Sequence, residues 1–497
     1  MLATIAKAFH AACAESPIRP GIARVAARGP CRPHGLVQGA APVVLVLLLL
    51  VFAPPLAQAT DCNRATLDPI THVRLPGSPF TALPSADGCR IFVSLSSGTS
   101  GSGLAAGGGP GVAVLSRRDG VVTIERIVPL RGEPSGMALT HDGKLLIVPN
   151  GAGVAFLDVR RLEVGAPNAV LGYWGDDRDA PGHIYATVTA DDRYLFVSNE
   201  AAGTISVIDL AAASRAHFSR DRVIRRIGIG SAPVGLALSA DERYLFATVQ
   251  EIKNFGWPLR CRPEADPNAA PDHAEGALVV IDAQRMISDP SRSVLKWVSA
   301  GCNPVRVVTS IEKGLVYVSA RGSHALLAFA EAQLTKPGYD AMAAQVPVGT
   351  APIGIAVIDG GRKVVVTNSD RFGNGATNMQ SLFVIDFAGA DTGAAHIVGV
   401  LPAKGFPREI RTTADSRTLL VTNFSAGTLE IIDLTRTPWV FSQTYAREQE
   451  KADPPLSAFS PGPLLAGGPS ICNQAASRDL RPGLPLLATD ASRHCID

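Results

Sequence analysis

Two stretches of this chain can be laid over one another residue for residue: Ala232-Pro-Val-Gly-Leu-Ala-Leu-Ser-Ala-Asp-Glu-Arg-Tyr-Leu-Phe-Ala-Thr248 and Ala351-Pro-Ile-Gly-Ile-Ala-Val-Ile-Asp-Gly-Gly-Arg-Lys-Val-Val-Val-Thr367. Each is followed, after an insertion, by Val279-Val-Ile-Asp282 or Phe383-Val-Ile-Asp386. The same ruler fits five further places, so the repeat anchors are Pro79, Pro134, His183, Pro233, Pro304, Pro352 and Pro407, spaced 55, 49, 50, 71, 48 and 55 residues apart. A unit of about 50 residues that reads strand, turn, strand, loop, strand, strand has the length of a β-propeller blade. In the fourth unit the strands are expected at Val234–Ser239, Tyr244–Thr248, Ala277–Asp282 and Val294–Val298.

Working outward, the expected fold is all-β: a seven-bladed propeller of four-stranded blades. The last unit lacks an outer strand, whereas Ile70–Leu75 ahead of the first unit matches one, so the N-terminal strand is expected beside Leu429–Asp433, closing the ring. Asp-Gly pairs at 87–88, 142–143 and 359–360 fall where the first two strands turn, and these acids read as turn residues. The acids ending the third strands, Asp158, Asp209, Asp282, Asp386 and Asp433, read as structural too. The 48 Gly and 37 Pro in 497 residues are the punctuation of such a ring.

Ahead of the ring, Val43–Phe52 is an apolar run followed by Pro54, Pro55 and Ala57-Gln-Ala59. The expected organisation is a signal peptide with a long N-terminal extension (1–59), the propeller (60–445) and a Pro/Gly-rich tail (446–497); the alternative for the apolar run is an anchor that stays on. The whole chain carries a formal +2, but residues 1–59 hold five basic residues and only Glu15 as an acid, so the remainder has 41 basic and 43 acidic residues, a net of −2. Without a basic run there is no footprint for nucleic acid, and removal of the leader leaves no membrane span. The expected location is periplasmic or extracellular, the expected state a monomer.

Val-Thr-Asn at 366–368 and 421–423, Val-Ser-Asn at 197–199 and the recurrent Val-Ile-Asp make residues 70–435 resemble the YVTN (YncE-like) seven-bladed β-propeller family. In such a ring the loops after each unit's second and fourth strands share one face, the top. The three large insertions, Ser96–Gly111, Gln250–Gly276 and Ser369–Gln380, are all loops after second strands, so the top is the expected binding face for a protein or small-molecule ligand. The same geometry puts Cys261 with Cys302 on top and Cys62 with Cys89 below, leaving Cys472 with Cys495 in the tail. Six cysteines in an exported chain favour those three disulfides over free thiols.

The second residue after each anchor is expected near the channel mouth: Thr81, Gly136, Tyr185, Gly235, Arg306, Gly354 and Glu409. The glycines would leave space there. Thr81, His183, Tyr185, Asn199, Arg306, Arg408 and Glu409 are the candidate ligand residues; the plainer alternative is that Arg306 and Glu409 pair or face solvent. Asn150, Asn199, Asn368 and Asn423 also read as turn caps.

Resemblance to the lactone-hydrolysing propellers is partial. Those carry Pro-Arg-His in a first strand and Asn-Glu after a second; this chain has Asn199-Glu200, but reads Pro181-Gly-His183, Pro304-Val-Arg306 and Pro407-Arg-Glu409. If it hydrolyses lactones, Glu200 or Glu409 would be the general base and Arg306 or Arg408 would stabilise the carbonyl oxygen. An accessory role beside a periplasmic dehydrogenase is a third expectation, although no haem or quinone ligand set is visible.

No other chemistry is spelled out. Ser100 lacks a full Gly-x-Ser-x-Gly elbow, Gly107–Gly111 precedes a strand, and there is neither His-Glu-x-x-His nor Cys-x-x-Cys. No cofactor is evident. Glu264, Asp266, Asp272, His273 and Glu275 crowd one insertion and would suit calcium only weakly, and His183 with Cys261 and Cys302 is a poor zinc set because a disulfide uses the thiols.

Overall fold

The computed structural model describes residues 61–437, except 63, 98–108, 176–181, 219–222, 254–255, 267, 337–340, 372–379 and 390–393. The leader, the tail, the Cys472–Cys495 pair and both expected domain boundaries lie outside the described residues.

Seven four-stranded antiparallel sheets form the ring. The first strands of blades one to seven, lining the centre, are Ser78–Pro84, Ala138–Leu139, His183–Val188, Ser231–Leu238, Pro304–Ser310, Pro352–Ile358 and Pro407–Thr412. Blade seven takes its outer strand from the N-terminus: Ile70–Arg74 pairs with Thr428–Asp433 in the register Ile70↔Ile432 to Arg74↔Thr428. The closure expected from sequence is therefore observed. The core runs between blades, where fully buried aromatics such as Phe92, Phe156, Phe196, Phe246 and Phe329 face Val, Leu and Ile of the neighbouring sheet.

The Thr or Ser of the Val-Thr-Asn motif joins the blades. In six blades the register of the first strand slips just after the anchor (Pro79/Ala82, His183/Tyr185, Pro233/Leu236, Pro304/Val307, Pro352/Ile355, Pro407/Glu409), a bulge that detaches backbone groups from the ladder. The second-strand hydroxyl takes them up. Ser94, Thr248, Ser319, Thr367 and Thr422 accept from the N–H of Thr81, Gly235, Arg306, Gly354 and Glu409, at 2.8–3.1 Å. The hydroxyls of Ser94, Ser198, Thr248, Ser319 and Thr422 donate to a carbonyl on, or just ahead of, the first strand of the next blade: Ser135, Val234, Val305, Ile353 and Phe80, at 2.8–3.0 Å. Blade two has Pro149 at this position, and there Ser135 reaches back, its Oγ donating to Pro149 and His183 carbonyls. Every buried polar group freed by a bulge needs such a partner.

The acids follow their structural reading. Thr140–Asp142, Thr189–Asp191, Ser239–Asp241 and Thr413–Asp415 are hydroxyl–carboxylate pairs inside first turns, each aspartate also accepting from the backbone N–H two residues on. Asp158, Asp209 and Asp282 are N-caps of one-and-a-half-turn helices, Val159–Val164, Leu210–Arg215 and Ala283–Ser288. Those helices were not foreseen; six residues are too few to show a helical period.

Two disulfides are present, Cys62–Cys89 and Cys261–Cys302, with Cα separations of 4.6 and 5.5 Å. Among the described residues no helix is long and apolar enough to cross a membrane. The disulfides are consistent with an exported protein.

Candidate functional site

At the channel mouth, first strands from blades one, three, five and seven bring side chains together across the ring axis. Arg306 Nε donates to Glu409 Oε2 at 2.7 Å, and Arg411 Nη1 donates to Glu409 Oε1 at 2.8 Å. The other end of Arg411 bonds the Tyr185 hydroxyl. The Arg306 guanidinium lies 4.9 Å from the centre of the Tyr185 ring and 5.9 Å from that of Phe80. Arg306 and Glu409 thus pair, as the plainer sequence reading had it, and both are buried. Burial opposes ionisation of Glu409, but Arg306 and Arg411 overcome it and hold the carboxyl below the usual range.

The expectation that glycines open this mouth is corrected. A Cβ on Gly235 would lie 2.7 Å from the Val305 carbonyl oxygen and 2.9 Å from the Val307 nitrogen; one on Gly136 would strike the Tyr185 ring at 2.5 Å. These glycines admit the next blade's strand, not a ligand.

Space remains on the side of blades four to seven. A narrow cavity with room inside for about one water is lined by Gln250, Arg306, Arg321, Arg371, Phe406 and Arg408 together with Val234, Val305 and Ile353. The insertions of blades four and six both contribute. Glu264, from the blade-four loop, accepts from Arg321 Nε at 2.7 Å, and Arg371 belongs to the blade-six loop. That loop placement agrees with the top-face reading. Gln250 bridges the cluster, donating to Glu200 Oε1 at 2.9 Å and accepting from Arg321 Nη2 at 3.3 Å. Burial raises the Glu200 carboxyl above its ordinary value against the pull of Arg321, Arg408, Arg306 and Arg371. Burial likewise pushes Arg371 down to about 10, with Arg321 adding to the shift.

Of the sequence candidates, Arg306, Arg408, Glu409, Tyr185 and Glu200 are brought together here. Thr81 is fully buried, its N–H bonded to Ser94. His183 sits at the seam of blades two and three, Nδ1 against the Gly151 carbonyl at 3.0 Å and the ring edge-on to Trp174. Asn199 Oδ1 caps the turn at Ala202 N–H, and Asn150 does the same at Gly153. Sequence reading missed Phe80, Arg321, Arg371 and Arg411. Only Arg411 left a signal: two residues beyond Glu409 on a strand, it shares that residue's face.

The acidic insertion is tied into the protein. Asp272 meets His273, which also reaches Asn303 at 3.1 Å; Glu275 meets Ser299; Asp266 accepts from Asn268 N–H. Among the described residues no group of three or more His, Cys, Asp or Glu is arranged to hold a metal ion.

No family model matches the chain, and no curated protein matches it. Solved structures do. One from the Kuenenia stuttgartiensis hydrazine synthase aligns with a TM-score of 0.51 at 18% identity, covering 73% of this chain and 97% of that one. A chain of a mitotic checkpoint complex aligns with a TM-score of 0.52 at 13% identity, covering 73% and 93%. At such identities the likeness establishes the propeller fold and leaves function to the site.

Proposed function

We propose that this chain is an exported, YVTN-type propeller acting as a binding module, with its ligand taken at the top mouth beside Arg408. The fold is compatible with a protein- or ligand-binding module. The observation that carries the reading is convergence: loops of blades four and six and first strands of blades five and seven meet in one polar cavity, and such convergence is the mark of a ligand site. A thermal-shift screen of the full chain against small metabolites and peptides tests it, because a ligand that binds only the folded state raises apparent stability. The expected result is a concentration-dependent rise with at least one ligand class that is lost in Arg321→Gln. A screen without any such rise would overturn the reading.

Glu200 favours a second reading, hydrolysis of a lactone. A part-buried carboxyl pushed upward by burial is a better general base at neutral pH than Glu409, which two guanidiniums hold ionised. In that case Glu200 would activate water, and Arg306 or Arg408 would face the developing oxyanion. Loss of a hundredfold or more of lactone hydrolysis in Glu200→Gln is expected; an unchanged rate removes this reading.

A further inference from the structure

Arg408 has a buried donor that nothing in the fold satisfies. The residue is 4% exposed, and its Nε is buried without a hydrogen-bond partner. Rings cover the guanidinium: Phe80 lies 3.8 Å from its carbon to the ring centre, Phe424 4.9 Å and Phe406 5.7 Å. Stacking on aromatic faces holds the plane but uses none of the N–H donors. A buried donor left unmet costs free energy, and Arg306, the nearest comparable residue, avoids this by bonding Glu409.

The surroundings are cationic as well. Arg306, Arg321, Arg371, Arg408 and Arg411 stand against Glu200, Glu264 and Glu409. Positive charge still exceeds negative when the buried Asp370 at the start of the blade-six loop is counted. Burial, then Arg306 and Arg371, push the Arg408 guanidinium well below its ordinary range. Arginine stays protonated in proteins, so the shift expresses electrostatic stress that an anion would relieve.

We propose that the cavity is an oxyanion site, in which a carboxylate or phosphate group is bound edge-on by Arg408 with Arg306, Arg321 and Arg371 around it. This rests on the top mouth being the binding face and adds the ligand's chemical class. The enclosed space takes about one water molecule, so the oxyanion centre would sit at the cavity's mouth with an oxygen directed inward and any remainder of the ligand outside. A planar, fixed guanidinium selects two oxygens on one centre, which carboxylate and phosphate share and chloride lacks.

The test is calorimetric titration of the full-length protein with sodium malonate and, separately, with inorganic phosphate, at constant ionic strength set by chloride. Arg408→Lys retains a point charge and removes the fork. Arg321→Gln serves as a second variant should the first fail to fold. Saturable binding of either oxyanion, weakened tenfold or more in the variants, is the expected result, and the better-bound probe identifies the head group. Absence of binding by both probes beyond chloride overturns the oxyanion assignment. Equal binding by the wild type and both variants overturns it too, by placing the anion elsewhere. If the oxyanions fail while a neutral ligand from the thermal-shift screen still loses its effect in Arg321→Gln, the mouth remains a binding site of another class.

Discussion

Replacing Thr422 by Val should harm this protein more than replacing it by the smaller Ser. Thr422 is fully buried, and its hydroxyl has two partners: it accepts from Glu409 N–H at 3.1 Å and donates to the Phe80 carbonyl at 3.0 Å. One bond is within blade seven and the other crosses the ring's closure to blade one. Valine keeps the shape and suits a strand, but it leaves a buried donor and a buried acceptor unmet at about 1–3 kcal/mol each. Allowing for the gain from removing a buried hydroxyl, about 2–4 kcal/mol of destabilisation follows. Serine keeps both bonds and loses one methyl, about 1 kcal/mol. With an unfolding entropy of about 2.1 cal/mol/K per residue, a ring of this size has roughly 0.8 kcal/mol/K in total, so Val should lower Tm by roughly 3–5 °C and Ser by roughly 1 °C. Differential scanning calorimetry of the three proteins decides it, with urea midpoints as a check. A Val variant as stable as the Ser variant would show that the hydroxyls do not join the blades and would refute the account of the motif given above.

Glu409→Gln leaves Arg306 and Arg411 buried without their carboxylate and should cost about 3–5 kcal/mol, read as a fall of roughly 4–6 °C in Tm. Gly235→Ala should be poorly tolerated despite the small change, because its Cβ meets backbone of blade five at 2.7 and 2.9 Å; an expected loss of about 1–3 kcal/mol is measurable by urea unfolding. The disulfides close sequence separations of 27 and 41 residues, for which chain entropy gives about 3.5 and 4 kcal/mol, so Cys62→Ser and Cys261→Ser should each lower Tm by roughly 4–5 °C. Hydroxyl bonds from Thr189 and Ser239 hold the Asp191 and Asp241 carboxyls below their ordinary value. The unfolded chain therefore binds more protons in acid, stability present above about pH 4 is lost as pH falls further, and Asp241→Asn should flatten that limb of a Tm-against-pH curve.

The ring was legible because its signals are local and repeated. Alternating apolar residues, an Asp or Gly turn and Val-Ile-Asp recur at a fixed spacing, so each strand in blade four was placed to within three residues, and Ala277–Asp282 without error. The pairs Cys62–Cys89 and Cys261–Cys302 followed once each loop had a face. The mouth was only half legible because its contacts cross the axis. Arg306 meets Tyr185 and Phe80 from two other blades, and no local pattern joins positions 80, 185, 306 and 409. Arg321 opens a one-turn 3-10 helix after a second strand and Arg371 lies in a loop, and at neither does repeat spacing carry geometric content. The glycines were misread for a physical reason: a missing side chain makes space, but the space at Gly235 is consumed by the strand that its absence lets in.

The repeat and the site are built on the same position. The second residue after the anchor is the one whose N–H the bulge releases and the motif hydroxyl captures. Where that residue is Gly235 or Gly354, the capture serves packing alone. At Arg306 and Glu409 the same capture, by Ser319 and Thr422, fixes the backbone of a charged side chain aimed at the axis. A buried ion pair is weak support for a fold, since desolvation offsets much of its attraction. Its presence at two pinned positions is better explained as preorganisation: charges held in place beforehand lose little freedom when a ligand arrives. On that account the hydroxyls supply rigidity around the ring, and blades five and seven use it to hold charge. Loosening Thr422 should then weaken anion binding at Arg408 as well as lower Tm, because of its two partners Phe80 covers the Arg408 guanidinium and Glu409 is the next residue on the same strand.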